Sequence, residues 1–110
     1  MSLLDKMLKA GSVKGSSVLS KSNFFQAKDP IKTDLPIVNI AFSGSLNGGL
    51  IPGLTVLAGV SKSFKTLLGL YCMKAYLDKY KDGVAILYDS EYGITPEYLE
   101  SYNIDIDRVV

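Results

Sequence analysis

The chain contains no histidine and one cysteine in 110 residues. These scarcities remove whole classes of chemistry. Without histidine, a Ser-His-Asp triad cannot be assembled, and a lone thiol with no histidine beside it cannot build a structural zinc site. A single cysteine also rules out any disulfide within the chain. No apolar stretch approaches the roughly 20 residues that a membrane-spanning helix needs. Twelve basic against eleven acidic residues leave a net charge of +1, so overall charge selects no partner. Nearly half the residues are hydrophobic, as suits a globular unit with a core. Cys72, between Tyr71 and Met73 in a helix-like run, reads as a small buried hydrophobe.

Residues 1–34 differ in character from the rest. They carry six lysines against Asp5, Asp29 and Asp34, with many serines, and read as an extended basic arm. Only its beginning looks helical. Leu4, Met7 and Leu8 share a face from which Asp5, Lys6 and Lys9 are excluded, and Gly11 is a natural stop. The arm lacks the apolar centre of a signal peptide, and it uses lysine where transit peptides prefer arginine. Phe24 and Phe25 need a pocket, either on their own domain or on another molecule. Residues 35–110 form the second unit, in which Pro36 and the run Ile37 to Ile40 lead into the core. The turn formers Ser43-Gly44-Ser45 and Asn47-Gly48-Gly49 then predict an irregular loop.

The most informative stretch is Gly59, Val60, Ser61, Lys62, Ser63, Phe64, Lys65 and Thr66. It reproduces the phosphate-binding pattern G-x-x-x-x-G-K-[ST], with Phe64 in place of the second glycine. Such a loop turns successive backbone N–H groups toward phosphate oxygens, at the positive end of the following helix. Lys65 then neutralises β- and γ-phosphate oxygens, and the Thr66 hydroxyl is the ligand for magnesium. Leu54 to Ala58, following Pro52-Gly53, suits a buried parallel strand, and Leu67 to Tyr80 suits a helix. A nucleoside triphosphate with Mg2+ is the expected ligand, and an ordinary strand-to-helix turn is the bland alternative.

Beyond the stop signal Lys81-Asp82-Gly83, Val84 to Tyr88 reads as a second buried strand that ends at Asp89-Ser90-Glu91. Two strands joined by a helix make a right-handed parallel crossover, whose strand ends share one crevice. Glu91 is therefore the candidate general base, placed to orient water for attack on a γ-phosphate. A solvated loop acid is the competing reading. Thr95-Pro96-Glu97 starts a further helix with Thr95 as N-cap; Asn103 is a plausible stop, and Arg108 to Val110 looks like the opening of a third strand.

With these residues in hand, the chain resembles the RecA-type recombinases, and most closely the phage recombinases of the UvsX type. The resemblance spans essentially all of it. Its most specific pieces are Ser61-Lys62-Ser63-Phe64-Lys65 and Tyr88-Asp89-Ser90-Glu91-Tyr92-Gly93-Ile94-Thr95-Pro96, and UvsX-type proteins also carry phenylalanine before the loop lysine. The resemblance implies an α/β fold: a partial RecA-like P-loop NTPase core, a parallel sheet with flanking helices, preceded by the arm and its short helix. It implies that Gly59 to Thr66 is the Walker A loop, that Lys65 and Glu91 are catalytic, and that Thr95 and Tyr98 contact adenine. Helix capping and core packing are the alternatives for those last two.

It further implies filaments on single-stranded DNA that carry out homologous strand exchange, self-association through the arm with Phe24 and Phe25 as anchors, and a location in the host cytoplasm. The Walker B strand and the DNA-binding loops of that family have no counterpart here. The expectation is accordingly the amino-terminal part of a recombinase, with DNA contacted mostly through parts absent from this chain. Two other readings stand beside it. One is an interaction fragment without activity of its own; the other is part of another RecA-core ATPase, a hexameric helicase or a KaiC-like regulator.

Overall fold

The computed structural model describes residues 2–11, 17–22 and 29–110. The positions of Phe24 and Phe25, expected as anchors, lie outside the described residues.

Among the described residues, four α-helices carry the architecture. The first, α1 (Leu3–Ala10), is closed by a reciprocal capping box: the Ser2 hydroxyl accepts the Asp5 N–H at 3.2 Å while the Asp5 carboxylate accepts the Ser2 N–H at 2.9 Å. Gly11 ends it, as the sequence suggests. None of its residues is buried, so Leu3, Leu4 and Met7 face outward.

Sequence patterning did not reveal α2 (Pro36–Ser43), although its punctuation was present: Pro36 at the first turn and Gly44 in the left-handed region at φ 70°. A buried polar knot holds its start. Asn39, 1% exposed, accepts the Thr33 N–H at 2.8 Å and the Thr33 hydroxyl at 2.9 Å, and returns a bond to the Thr33 carbonyl at 2.9 Å. Below it, the Ser43 hydroxyl donates to the Asn39 carbonyl at 2.7 Å and accepts the Gly49 N–H at 3.1 Å. Every polar group of the knot is thereby satisfied, which is the condition for burying it. Ile31 and Leu50 then exchange backbone bonds of 2.7 and 2.9 Å as an isolated antiparallel bridge.

The longest helix, α3 (Lys65–Lys79), organises the rest. Leu70 and Leu77, seven residues apart on one face, pack with Leu99 and Ile104, and around them lie Met73, Tyr76, Ala85, Ile94, Tyr102, Ile106 and Val109. Leu77 is 1% exposed. The C-terminal end of α3 is held from outside. The Arg108 guanidinium Nη1 reaches the carbonyls of Leu77, Tyr80 and Lys81 at 3.1, 3.0 and 3.0 Å, and Nε pairs with the Asp105 carboxylate at 2.9 Å. A cation belongs at this end, where unpaired helix carbonyls gather. Lys79 ties the end of the basic arm to α3 through Asp29 at 2.6 Å and the Pro30 carbonyl at 3.0 Å.

The short α4 (Pro96–Ser101) begins as the sequence indicates, with the Thr95 hydroxyl accepting the Tyr98 N–H at 3.2 Å. It leads through Asn103, at φ 56°, to a 3₁₀ turn at Ile106–Arg108.

The expected parallel sheet with flanking helices is overturned: the described residues contain no strand, and their β-pairing amounts to two isolated bridges. Apolar runs supply the side chains of a strand, but a sheet exists only where a neighbour takes up the backbone groups. Val84 to Tyr88 finds such a neighbour on one side. Ala85 and Leu87 donate to the carbonyls of Arg108 and Val110 at 2.9 and 2.8 Å, and Val110 donates back to Ala85 at 2.9 Å. Leu54 to Ala58 makes no backbone pairing among the described residues, and Leu54 stands 93% exposed. Arg108 to Val110, expected to open a third strand, instead closes the 3₁₀ turn and forms the parallel bridge of Val109 to Ala85.

Candidate functional site

The loop at residues 59–66 owes its shape to two residues in left-handed conformation, Lys62 at φ 61° and Phe64 at φ 60°. Phe64 stands where the common phosphate-binding pattern has glycine. A left-handed residue other than glycine costs about 1–2 kcal/mol, so the local fold demands glycine-like geometry of a phenylalanine. Its ring is 72% exposed and gains little packing in return.

Gly59 serves a different need, close approach: a Cβ there would lie 2.9 Å from the Ser63 hydroxyl oxygen. That hydroxyl donates to the Val60 carbonyl at 2.7 Å, and Lys65 Nζ donates to the same carbonyl at 2.7 Å. The lysine thus folds back across the loop that it follows. Among the described residues, no protein acceptor takes the backbone N–H of Ser61, Lys62, Ser63, Phe64, Lys65 or Thr66. Alternating handedness with unclaimed N–H groups at a helix start is the make-up of an anion nest.

Two cavities meet at this loop. One, of about 450 Å³, is lined by residues 61–67 together with Glu91 and Tyr98. The other, of about 670 Å³, runs between α3 and residues 85–91, with Thr66, Glu91 and Tyr98 in its wall as well. Three residues singled out from sequence, Thr66, Glu91 and Tyr98, therefore border both spaces, and Lys65 borders the first. Thr95 borders neither, its hydroxyl being committed to the α4 cap. The Tyr98 ring meets Tyr102 edge to face, 5.2 Å between centroids.

Asp89 holds the segment that carries Glu91. Its carboxylate accepts the Glu91 N–H at 3.0 Å and the Ile94 N–H at 2.9 Å. These bonds, Ile94 first, hold the Asp89 carboxyl below its ordinary range. Sequence reasoning placed Asp89 at a strand end but gave it no such task. An aspartate two residues before a backbone N–H it can accept is an Asx-turn signature, and that signal was legible. Likewise missed was the Ser63 hydroxyl, which braces the loop through Val60.

A magnesium ion requires few ligands from the chain itself. Among the described residues no group of three histidine, cysteine, aspartate or glutamate side chains is arranged to hold a metal. The Thr66 hydroxyl fits a nucleotide-borne ion, because magnesium keeps its waters and draws its remaining ligands from phosphate oxygens. Cys72 on α3 is half-buried, and that burial pushes its thiol pKa upward.

No family model matches the chain. Over 108 residues, 98% of its length, it is 45% identical to the recombination and repair protein of Enterobacteria phage T4. It spans 28% of that relative's length. The similarity therefore joins nearly the whole chain to part of a phage recombination and repair protein. No helix among the described residues is long and apolar enough to cross a membrane.

Proposed function

We propose that this chain is the nucleotide-binding part of a phage recombination and repair protein, a DNA recombinase of the UvsX type, and that it takes ATP at residues 59–66. The observation that carries the reading is the shared cavity: the loop with unclaimed N–H groups, Lys65 and Glu91 all border one space of nucleotide-phosphate size. In this reading the N–H groups of Ser61 to Thr66 receive phosphate oxygens. Lys65 exchanges the Val60 carbonyl for a β- or γ-phosphate oxygen, trading a neutral acceptor for an anionic one. Glu91 orients water for in-line attack, because phosphoryl transfer requires positioning and charge stabilisation above all. Magnesium, carried with the nucleotide, supplies further neutralisation of phosphate charge, and Thr66 is the ligand offered by the chain. Tyr98 borders the space beyond the phosphates, where a base would lie.

The relative's name supports recombination and repair; the DNA partner and the filament belong to the proposal through the resemblance to UvsX-type recombinases. Titration calorimetry with Mg·ATP tests the first step on this chain. Saturable binding that Glu91→Gln leaves intact is the expected result. No heat of binding at millimolar nucleotide would overturn the reading.

A further inference from the structure

The carboxylate of Glu91 has no hydrogen-bond or ion-pair partner among the described residues, so its own contacts do not aim it at the phosphate loop. What fixes its place is the backbone beneath it. That backbone turns sharply: Tyr92, the next residue, sits at φ 54°, a conformation that costs a non-glycine residue energy and persists only when its surroundings impose it. Asp89 supplies the imposition from both sides, one oxygen taking the N–H of Glu91, just before the strained residue, and the other that of Ile94, two residues after it. Ile94 is in turn packed on the core formed by Leu70, Leu77, Leu99 and Ile104. A continuous path therefore runs from the buried core through Ile94 and Asp89 to Glu91, which borders the same cavity as Lys65.

We propose that Asp89 is a positioning residue for Glu91: it clamps the turn at residues 89–94 so that the Glu91 carboxylate is presented to the phosphate space bordered by Lys65 and Thr66. The proposal rests on the nucleotide reading above, but it concerns a separate side chain. Asp89 also lines the larger cavity and acts through the two N–H groups it accepts. A misplacement of about 1 Å at a reacting group is enough to cost two orders of magnitude in rate, so such a clamp matters even though it sits on the surface.

The test uses the 110-residue chain labelled with 13C and 15N, with substoichiometric Mn2+·ATP as a paramagnetic probe. In the unmodified chain the amide signals of Ser63, Lys65 and Thr66 and the carboxyl carbon of Glu91 should all broaden, while Asp78, near the far end of α3 and about 18 Å along the helix from Thr66, serves as the distant reference. In Asp89→Ala the loop signals should still broaden, and Glu91 should lose its broadening toward the level of Asp78. Asp89→Asn keeps an oxygen able to accept one N–H and should restore part of the effect, which also guards against a variant that folds poorly. Equal broadening of Glu91 in the unmodified, alanine and asparagine chains would overturn the role of Asp89 alone. Broadening at Lys65 and Thr66 without any at Glu91 in the unmodified chain would overturn it as well. No broadening at Lys65 or Thr66 would overturn the nucleotide reading and this proposal with it.

Discussion

Lys65 Nζ lies 2.7 Å from the carbonyl oxygen of Val60, five residues earlier, and so closes the loop at residues 59–66 with its own charge. The contact is a charge-assisted bond to a neutral acceptor, weaker than the same ammonium on a phosphate oxygen. An arriving anion therefore needs to displace only a modest interaction. For Lys65→Ala we expect Mg·ATP affinity to fall by about tenfold to a hundredfold, the equivalent of one charge-assisted hydrogen bond of about 1.5–3 kcal/mol. Calorimetric titration measures it, and unchanged far-ultraviolet circular dichroism would show that the helices survive.

Phe64 yields a prediction about stability. Because it holds φ 60° with an exposed ring, glycine should relieve its strain at little cost in packing. Phe64→Gly should unfold at the same denaturant concentration as the natural chain or a higher one. Phe64→Ala keeps the strained geometry and should be less stable than the glycine variant by about 1 kcal/mol. A β-branched valine should be worse than either. Chemical denaturation of the three variants ranks them.

Gly49 is required for a steric reason. At φ 152°, a Cβ there would lie 2.0 Å from the Ile31 carbonyl oxygen, inside the antiparallel bridge. Gly49→Ala should separate Ile31 from Leu50 and cost about 2 kcal/mol or more. Gly69, in the middle of α3 with open space where its Cβ would stand, supplies the contrast: Gly69→Ala should stabilise the chain by about 0.5–1 kcal/mol. Thermal melts of the two variants should move in opposite directions.

Acid should release the turn at residues 89–94. Asp89 is held below its ordinary value of 3.8 because the folded chain donates N–H bonds to its ionised form, from Ile94 and then Glu91. A carboxyl depressed by folding stabilises the fold at pH above its unfolded value, and that contribution is lost as pH falls through the lower, folded value. The amide resonances of Glu91 and Ile94 should therefore share a titration step whose midpoint lies below 3.8. Asp89→Asn should abolish the shared titration.

Much of the site could be read from residue types and spacing, because glycine, lysine and threonine at fixed intervals describe a local backbone task that needs no distant partner. The α4 cap at Thr95 and the stop of α1 at Gly11 were legible for the same reason. The strands were not. Leu54 to Ala58 and Val84 to Tyr88 have the composition of buried parallel strands, yet pairing is a relation between segments, and among the described residues only 108–110 come alongside the second run. Helix α2 escaped notice because its apolar residues run almost unbroken from Ile37 to Phe42, a pattern without clear period. Its stability owes much to the Thr33–Asn39 knot, which no periodicity announces.

The guanidinium of Arg108, lodged among the carbonyls at the tail of α3, satisfies one pole of that helix, while the other borders a cavity with no counter-charge on its N–H groups among the described residues. A bound anion would complete the pair, giving the helix opposite counter-charges at its two tips. Loading the loop should stabilise the folded chain as a whole by mass action, and the final turn held by Arg108 shares in that gain. Ligand-induced protection of the Val109 and Val110 amides would be the distant sign that the head of the helix is occupied.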